Sequence, residues 1–364
     1  MREILAVIGV SRLGDVIGRT ELLEQQRPES GKAKLVRLDR VLLQAQGDGA
    51  RKCAQPRNEP PRTGGRIDER VLRELRVEDG RVVPIELMLP ITNADRAVGA
   101  RVAGRLVSLT HAGEVAPRTV QLRFRGSAGQ SFGAFCVDGM RLVVDGEAND
   151  YVGKGMSGGE IVVRPPSSAR HHASNDVIAG NTLLYGATGG IAHFAGSVGE
   201  RFAVRNSGAV AVAEGAGDHA AEYMTAGAVV LLGPVGRNLG AGMTGGVVFA
   251  FSPEHELATR VHSEWVRVDD WLTASDEQWV RELLVRHVHV TGSRLADKLV
   301  REWGATRLRF HRVSPRTAAH DVETALPSLG RGETPAARNA PARQVSASSA
   351  HVALSAHASA EAPR

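Results

Sequence analysis

The chain has 364 residues, of which 42% are hydrophobic and 23% are charged, so it contains enough apolar side chains for one or more packed cores. Its 45 basic and 40 acidic residues give a formal net charge of +5, but the basic residues form no block interleaved with aromatic residues, which argues against nucleic-acid binding. No apolar run is long enough to span a membrane. The two cysteines, Cys53 and Cys136, are too few and too far apart for a metal cluster, and they favour a reducing, cytoplasmic compartment.

Residues 1–81 are predicted to form a helical and linker segment. Residues 1–26 alternate charged and apolar side chains at helical spacing, which predicts short helices. They lack the uninterrupted apolar centre and the small-residue cleavage site of a signal peptide. Residues 47–66 are rich in Gly, Pro and charged residues, a composition typical of a linker.

Residues 82–106 open with an alternating pattern that predicts a strand and close with a pattern that predicts a helix through Ala100. A short unit then recurs as VDGMRLVV from Val137, MSGGEIVV from Met156, ATGGIAHF from Ala187, NSGAVAV from Asn206, MTAGAVVL from Met224 and MTGGVVFA from Met243. The glycines that precede the predicted strands are Gly139, Gly159, Gly190, Gly208, Gly227 and Gly246. They are spaced by 20, 31, 18, 19 and 19 residues, and the long interval contains a polar stretch at residues 165–176.

This repeat is too short for helix pairs or propeller blades, and it fits one coil of a parallel β-helix. We therefore predict a mostly β fold, a parallel β-helix of about six coils over residues 132–251, with flanking short helices. The polar stretch is predicted to be a loop inserted into one coil. The six glycines are predicted to be structural turn positions, several with positive φ, because glycine enters that region without steric cost.

The stretch YVGKGMSGGEIVV, residues 151–163, contains G-x-G-x-x-G and resembles a phosphate-binding loop. Such a loop needs a helix after the glycines, whereas Glu160 begins a β-branched run that ends at two prolines and predicts a strand. Lys154 is followed by glycine, where a Walker A motif requires Ser or Thr. The stretch is therefore interpreted as a glycine-rich turn.

The most compact candidate for a metal or acid–base site is Asp218, His219 and Glu222. Because this stretch lies between predicted strands, we interpret the three as buried polar residues that satisfy the backbone of a turn. Neither of the two cysteines, Cys53 or Cys136, belongs to an identifiable catalytic arrangement.

Residues 145–150, DGEAND, gather three carboxylates, as calcium-binding β-helices that cleave polysaccharides do. Lys154 and Arg164 are the basic residues available for such chemistry. We favour turns built on Asn149 and Asp150. The adjacent His171 and His172 fall in the inserted loop, and two histidines alone make a poor metal site.

Toward the C-terminus, Ser275 is predicted to cap a helix whose apolar face carries Trp279, Leu283, Leu284 and Val288. A second helix is predicted after Gly292, and together these closing helices are expected to cover one end of the β-helix. The predicted division is 1–81, a β-helix domain at 82–274, closing helices at 275–313 and a disordered tail at 314–364.

Several stretches resemble the C-terminal G-x-G-x-G domain of the glutamate synthase large subunit. They are NADRAVGARVAGRL, GSAGQSFGAF, GEANDYVGKGMSGGEIVVRPP, IAGNTLLYGATGG, GERFAVRNSGAVAVAEGAGDHAAEYMT and GRNLGAGMTGGVVFAF. The resemblance implies a right-handed β-helix that holds catalytic domains in place. Two further stretches resemble other parts of that family. IGVSRLGDVIGRTELLE resembles the segment that joins the family's flavin domain to its β-helix, and RHVHVTGSRLADKLVREW resembles the family's closing helices.

In this family, glutamine is hydrolysed in a glutaminase domain and ammonia reaches 2-oxoglutarate at a reduced flavin. The family's nucleophile is an N-terminal cysteine, whereas residue 1 here is Met1. Its barrel for flavin mononucleotide (FMN) and its iron–sulfur cysteines have no counterpart in this sequence. The resemblance therefore implies no catalytic, cofactor-binding or metal-binding residue in this chain.

Two classes of function follow. The first is a structural scaffold of glutamate synthase, or of another amidotransferase–flavoprotein complex, with glutaminase and FMN-binding domains or subunits as partners. The second is an independent β-helix enzyme that acts on carbohydrate. For a scaffold without its partners, we expect self-association through the bare lateral surface. Neighbouring reading frames for glutaminase and flavin domains favour the first class, and sugar-transport genes favour the second.

Overall fold

A computed structural model describes residues 1–26, 35–44, 66–79, 81–110, 118–166, 176–252, 256–316, 326–327 and 329. The chain divides into two compact units, residues 1–60 and residues 61–364. In the first unit, α1 (Arg2–Val7) is followed by two 3-10 turns at Leu13–Asp15 and Thr20–Leu22. These are the short helices that the spacing predicts. The linker predicted at residues 47–66 lies outside the described residues, except for Arg66.

The second unit contains the remaining helices and all the strands of the described chain. The helices are α2 (Arg66–Glu74), α3 (Ala100–Thr110), α4 (Leu257–Arg260), α5 (Ala274–Thr291), α6 (Arg294–Arg301) and α7 (Trp303–Thr306). The strands are β1 (Val77–Glu78), β2 (Arg81–Val82), β3 (Ile85–Ile91), β4 (Val120–Ala128), β5 (Met140–Ala148), β6 (Ser157–Arg164), β7 (Val177–Ala179), β8 (Gly189–Val198), β9 (Ser207–Ala216), β10 (Ala226–Leu231), β11 (Val247–Phe251), β12 (Val266–Asp269) and β13 (Phe310–Pro315).

The strands from β3 to β11 stack in parallel and build the β-helix. One sheet runs in the order β12-β13-β11-β10-β9-β8-β6-β5-β4-β3, and β7 pairs with β5 and β8. The register aligns a column of interior side chains that are at most 8% exposed: Leu87, Leu122, Leu142, Ile161, Ala192, Ala211, Val229 and Val248. The predicted fold class, a parallel β-helix of about six coils, is confirmed.

The helices near the start of this unit pack against the first coils. Val71 on α2 and Leu106 on α3 belong to the same buried cluster as the interior column. Asp68 on α2 joins the two helices, because its carboxylate accepts the backbone N–H groups of Gly99 at 2.7 Å and Arg101 at 3.0 Å. Burial raises the pKa of Asp68 in spite of these hydrogen bonds. Helices α2 and α3 therefore cover the first coils.

The closing helices do not cover an end of the β-helix, as the sequence predicted that they would. Helix α5 packs along the outer face of the sheet, where its Trp279, Leu283 and Leu284 share a buried cluster with Ile191 and Val212. At the β11 end of the parallel strands, β13 pairs antiparallel with both β11 and β12. An edge strand exposes unpaired backbone groups, and the antiparallel pair satisfies those of β11.

Helix α5 begins two residues earlier than predicted, and its cap is Thr273 rather than Ser275. The Thr273 hydroxyl accepts the Asp276 N–H at 3.1 Å, and the Asp276 carboxylate accepts the Thr273 N–H at 3.1 Å. This reciprocal pair is a capping box. The helix ends at Gly292, whose φ of +73° is typical of a glycine C-cap.

The tail predicted at residues 314–364 begins too early. Ser314 and Pro315 belong to β13, whose partners lie far away in sequence and leave no local signal. Most of the tail lies outside the described residues.

Gly104 offers a stabilising substitution in the interior of α3. It is exposed, and a Cβ built on it meets no atom within 4 Å. Gly104→Ala should therefore raise the free energy of unfolding by about 0.5–1 kcal/mol, since glycine loses more backbone entropy in a helix than alanine does. Urea denaturation followed by circular dichroism measures the change. Gly99→Ala is the matched control: its φ of +96° and a Leu142 methyl 3.2 Å from the new Cβ predict a loss instead.

Candidate functional site

The six turn glycines lie where the chain enters successive strands. Gly139, Gly159, Gly190, Gly227 and Gly246 have φ between +77° and +88°. Gly208 lies outside that range, but a Cβ on it would approach the Thr188 carbonyl oxygen to 2.1 Å. The register shifts between Ser157 and Glu160 and between Ala226 and Ala228 place Gly159 and Gly227 on bulges.

At a second corner of each coil, three residues have left-handed backbone, and each is separated from the next by one residue. The sequence did not predict this feature. The first position is Ser131, Tyr151, Thr182, Arg201, His219 and Asn238, with φ of +58° to +66°. The second is Gly133, Gly153, Leu184, Ala203, Ala221 and Gly240, with φ of +55° to +74°. The third is Phe135, Gly155, Gly186, Arg205, Tyr223 and Gly242, with φ of +54° to +68°.

Hydrogen bonds between coils hold this corner in its strained conformation. The first position donates its N–H to the following coil, as Tyr151 does to the Asn181 carbonyl at 2.9 Å. The second donates to the preceding coil, as Leu184 does to the Val152 carbonyl at 2.7 Å. Left-handed backbone at non-glycine residues persists where surrounding contacts compensate for it. The corner is thus a product of coil stacking.

The stretch that resembles a phosphate loop belongs to this corner. Gly153 and Gly155 are two of its left-handed positions, and the predicted strand follows as β6. In the described chain, the glycines therefore lead into a strand and not into a helix. The Lys154 ammonium lies 5.5 Å from the ring centroid of Tyr151 and 5.9 Å from that of Tyr185, which are cation–π distances.

Asp218, His219 and Glu222 do not converge on one site. Asp218 accepts the Arg237 backbone N–H at 2.7 Å and its guanidinium at 2.7 Å, and these contacts lower the pKa of Asp218. Glu222 lies 3.6 Å from Arg201. Among the described residues, no group of three potential ligands has the geometry for a metal ion. His171, His172 and Cys53 lie outside those residues.

The carboxylates of residues 145–150 point to separate partners. Asp145 accepts Arg123 at 2.5 Å and Arg164 at 2.8 Å. Burial alone would raise the pKa of Asp145, but the two arginines outweigh it and lower the pKa. Asp150 accepts the Asn181 N–H in the next coil at 2.7 Å. Asp145 and Arg164, two of the groups considered for carbohydrate chemistry, are therefore paired with each other.

A buried glutamate with two partly buried arginines lies between the β-helix and α5. Glu160 on β6 accepts Arg141 on β5 at 2.6 Å and Arg286 on α5 at 2.9 Å, and its side chain is 7% exposed. Burial by itself would raise the pKa of Glu160, but the charges of the two arginines outweigh it and lower the pKa. Arg164 extends the contact by donating to the Val290 carbonyl of α5 at 2.7 Å.

A fully buried polar group lies beside this ion pair. The Nδ1 atoms of His193 on β8 and His287 on α5 are 3.1 Å apart. Glu214 on β9 lies 3.9 Å from His287 Nε2 and accepts the hydroxyl of Ser293, the N-cap of α6, at 2.5 Å. His193, Glu214 and His287 have no exposed surface. We name these four residues the histidine clasp.

The sequence held a signal for the clasp, because His193 and Glu214 interrupt apolar runs in GGIAHFAG and AVAVAEGAG. Alternation along each strand places both on the outer face, and only the covering helix makes that face interior. Because the clasp is buried, it positions α5 and α6 on the β-helix and is closed to a substrate.

Comparison with known proteins gives one family and a set of partial relatives. The family model described as the GXGXG motif matches residues 69–316. The ferredoxin-dependent glutamate synthase of Antithamnion sp. is 38% identical over 322 residues, which cover 86% of this chain and 21% of the relative. The NADH glutamate synthase of Schizosaccharomyces pombe is 38% identical over 319 residues, which cover 87% of this chain and 15% of the relative.

A third relative, the ferredoxin-dependent glutamate synthase of Cyanidium caldarium, is 46% identical over 240 residues, which cover 66% of this chain and 15% of the relative. The chain thus spans about a fifth or less of the length of these curated relatives. Within the described residues, no helix combines the length and the apolar character that a membrane crossing requires.

Proposed function

We propose that this chain, which belongs to the GXGXG motif family found in glutamate synthases, serves as the structural scaffold of such an enzyme. In this role it would hold glutaminase and FMN-binding domains or subunits at fixed positions during glutamate synthesis. The observation that carries the proposal is the continuous interior column from Leu87 to Val248. This shared, close-packed core joins all the coils into one stiff body.

The polar residues of the described chain support a structural role. Glu160, Asp145 and the histidine clasp join coils to one another or to α5. A catalytic acid or base must reach its substrate, and these buried groups do not. The pairing of Asp145 with Arg164 also engages two of the groups that a carbohydrate-cleaving β-helix would use.

The test is co-expression with glutaminase-domain and flavin-domain chains from the same genome. We expect the chain alone to be colourless and self-associated, and to enter a defined complex with those partners. Light scattering of the purified protein and co-purification of the complex measure the two states. A stable monomer that ignores both partners and cleaves a polyuronate would replace the scaffold proposal with the carbohydrate-enzyme one.

A further inference from the structure

We propose that α5 and α6 form an acid-releasable latch: protonation of the histidine clasp detaches both helices from the β-helix and exposes the apolar face beneath them. The proposal rests on the geometry of the clasp and on the position of its residues. His193 and Glu214 belong to the β-helix, whereas His287 and Ser293 belong to the helices. The polar contacts of the clasp therefore cross the junction between the β-helix and these two helices.

The histidine contact tolerates only one hydrogen between the two rings. At 3.1 Å, one Nδ1 must donate and the other must accept, whichever tautomers are present. A proton on the accepting nitrogen turns the bond into two opposed N–H groups. If His193 is the ring that donates through Nδ1, a second proton on its Nε2 places a charge where no hydrogen-bond partner exists among the described residues.

The arginines near the pair favour a neutral His193. The groups that face the pair are Arg141 on β5, Glu160 on β6, Glu214 on β9 and Arg286 on α5. Two arginines balance two glutamates, so each added proton leaves a buried excess of positive charge. The exposed His289 of α5 stands outside this group.

Burial, together with the nearby His287, Arg286 and Arg141, holds the pKa of His193 well below its ordinary value. A released His193 titrates at about 6.5. Below that pH the released state binds a proton that the docked state refuses. Docking is therefore fully stable above about pH 6.5 and weakens as the pH falls toward the lower pKa of the docked state.

Release would uncover a sizeable apolar strip. The outer face of β8 to β11 places Ile191, Val210, Val212, Ala228, Val230, Val247 and Phe249 against α5 and α6. An exposed strip of this kind binds hydrophobic dyes and promotes association between copies of the chain. Acid release should therefore be visible both in the helices and on the strands that they leave.

Hydrogen exchange of the full chain, read by mass spectrometry between pH 7.5 and 5.0, tests the latch. After correction for intrinsic exchange rates, peptides from α5 and α6 should open about tenfold more readily per pH unit below about 6.5. Peptides from β3 and β4, away from the clasp, should keep their protection. Unchanged protection of α5 across this range would overturn the proposal.

Two variants separate the clasp from general acid sensitivity. The double variant His193→Val and His287→Leu should abolish the pH dependence; valine is chosen because Val162 and Val212 flank His193 in register. His289→Leu, on the same helix, should keep the dependence of the original chain. A double variant that retains the slope, or a His289→Leu that loses it, contradicts the latch.

Should the double variant not fold, histidine resonances of the original protein provide the readout. The His193 ring should stay neutral until the pH at which α5 loses protection, and the two changes should coincide. A His193 that takes up its proton near pH 6.5 while α5 remains protected would also overturn the proposal.

Discussion

Gly227→Val is expected to lower the free energy of unfolding by about 3–5 kcal/mol. Gly227 has a φ of +88°, a region that a β-branched residue rarely enters. A Cβ there would lie 2.4 Å from the Ala209 carbonyl oxygen and 2.8 Å from the Asn206 amide nitrogen. The amide of Asn206 is buried and bonds the backbone of Ala209 in both directions, so it cannot move aside without losing those bonds.

Two other glycines separate backbone strain from steric clash. Gly186 has a φ of +63° and no atom within 4 Å of a new Cβ, so Gly186→Ala should cost only about 1–2 kcal/mol. Gly208 is outside the left-handed region but would clash with Thr188, so Gly208→Ala tests the clash alone. Urea denaturation measures the free energy of unfolding of Gly227→Val, Gly186→Ala and Gly208→Ala. Equal losses for Gly227→Val and Gly186→Ala would show that close coil stacking adds nothing at Gly227.

The number of coils was predictable because one corner of each coil requires glycine, and those glycines recur with the period of the coil. The second corner was not predictable. Its left-handed positions include Leu184, Ala203, Arg205 and Tyr223, residues that seldom adopt this conformation. Bonds to neighbouring coils stabilise them, and such bonds depend on tertiary stacking that a local pattern does not report.

The junction with α5 shows the same limit. The sequence predicted the helix and its apolar face, since both follow from spacing along one segment. It did not predict that Arg286 would meet Glu160, 126 residues away, or that His193 would meet His287. Capping one end and covering the outer face both bury the same apolar residues. The polar contacts of α5 with Glu160 on β6 and His193 on β8 favour the outer face.

The second large effect is expected at Glu160. Glu160→Gln keeps the size of the side chain but removes the charge that holds Arg141 and Arg286, and we expect a loss of about 2–4 kcal/mol. The cost arises because two partly buried guanidinium groups lose their counterion. Glu147→Gln is the matched control: its carboxylate is exposed and bonds only a hydroxyl in the described structure, so it should change stability by less than about 0.5 kcal/mol.

The loss at Glu160 should depend on pH in a window separate from that of the histidine clasp. Because Arg141 and Arg286 lower the pKa of Glu160 in spite of its burial, its contribution is fully present above the ordinary glutamate pKa of about 4.3. It disappears as the pH falls through the lower pKa of the folded state. Unfolding of the original chain and of Glu160→Gln should therefore differ most above about pH 4.5 and converge toward pH 3. A difference that stays constant down to pH 3 would mean that the glutamine fails for its shape, and that the charge of Glu160 does not stabilise the junction.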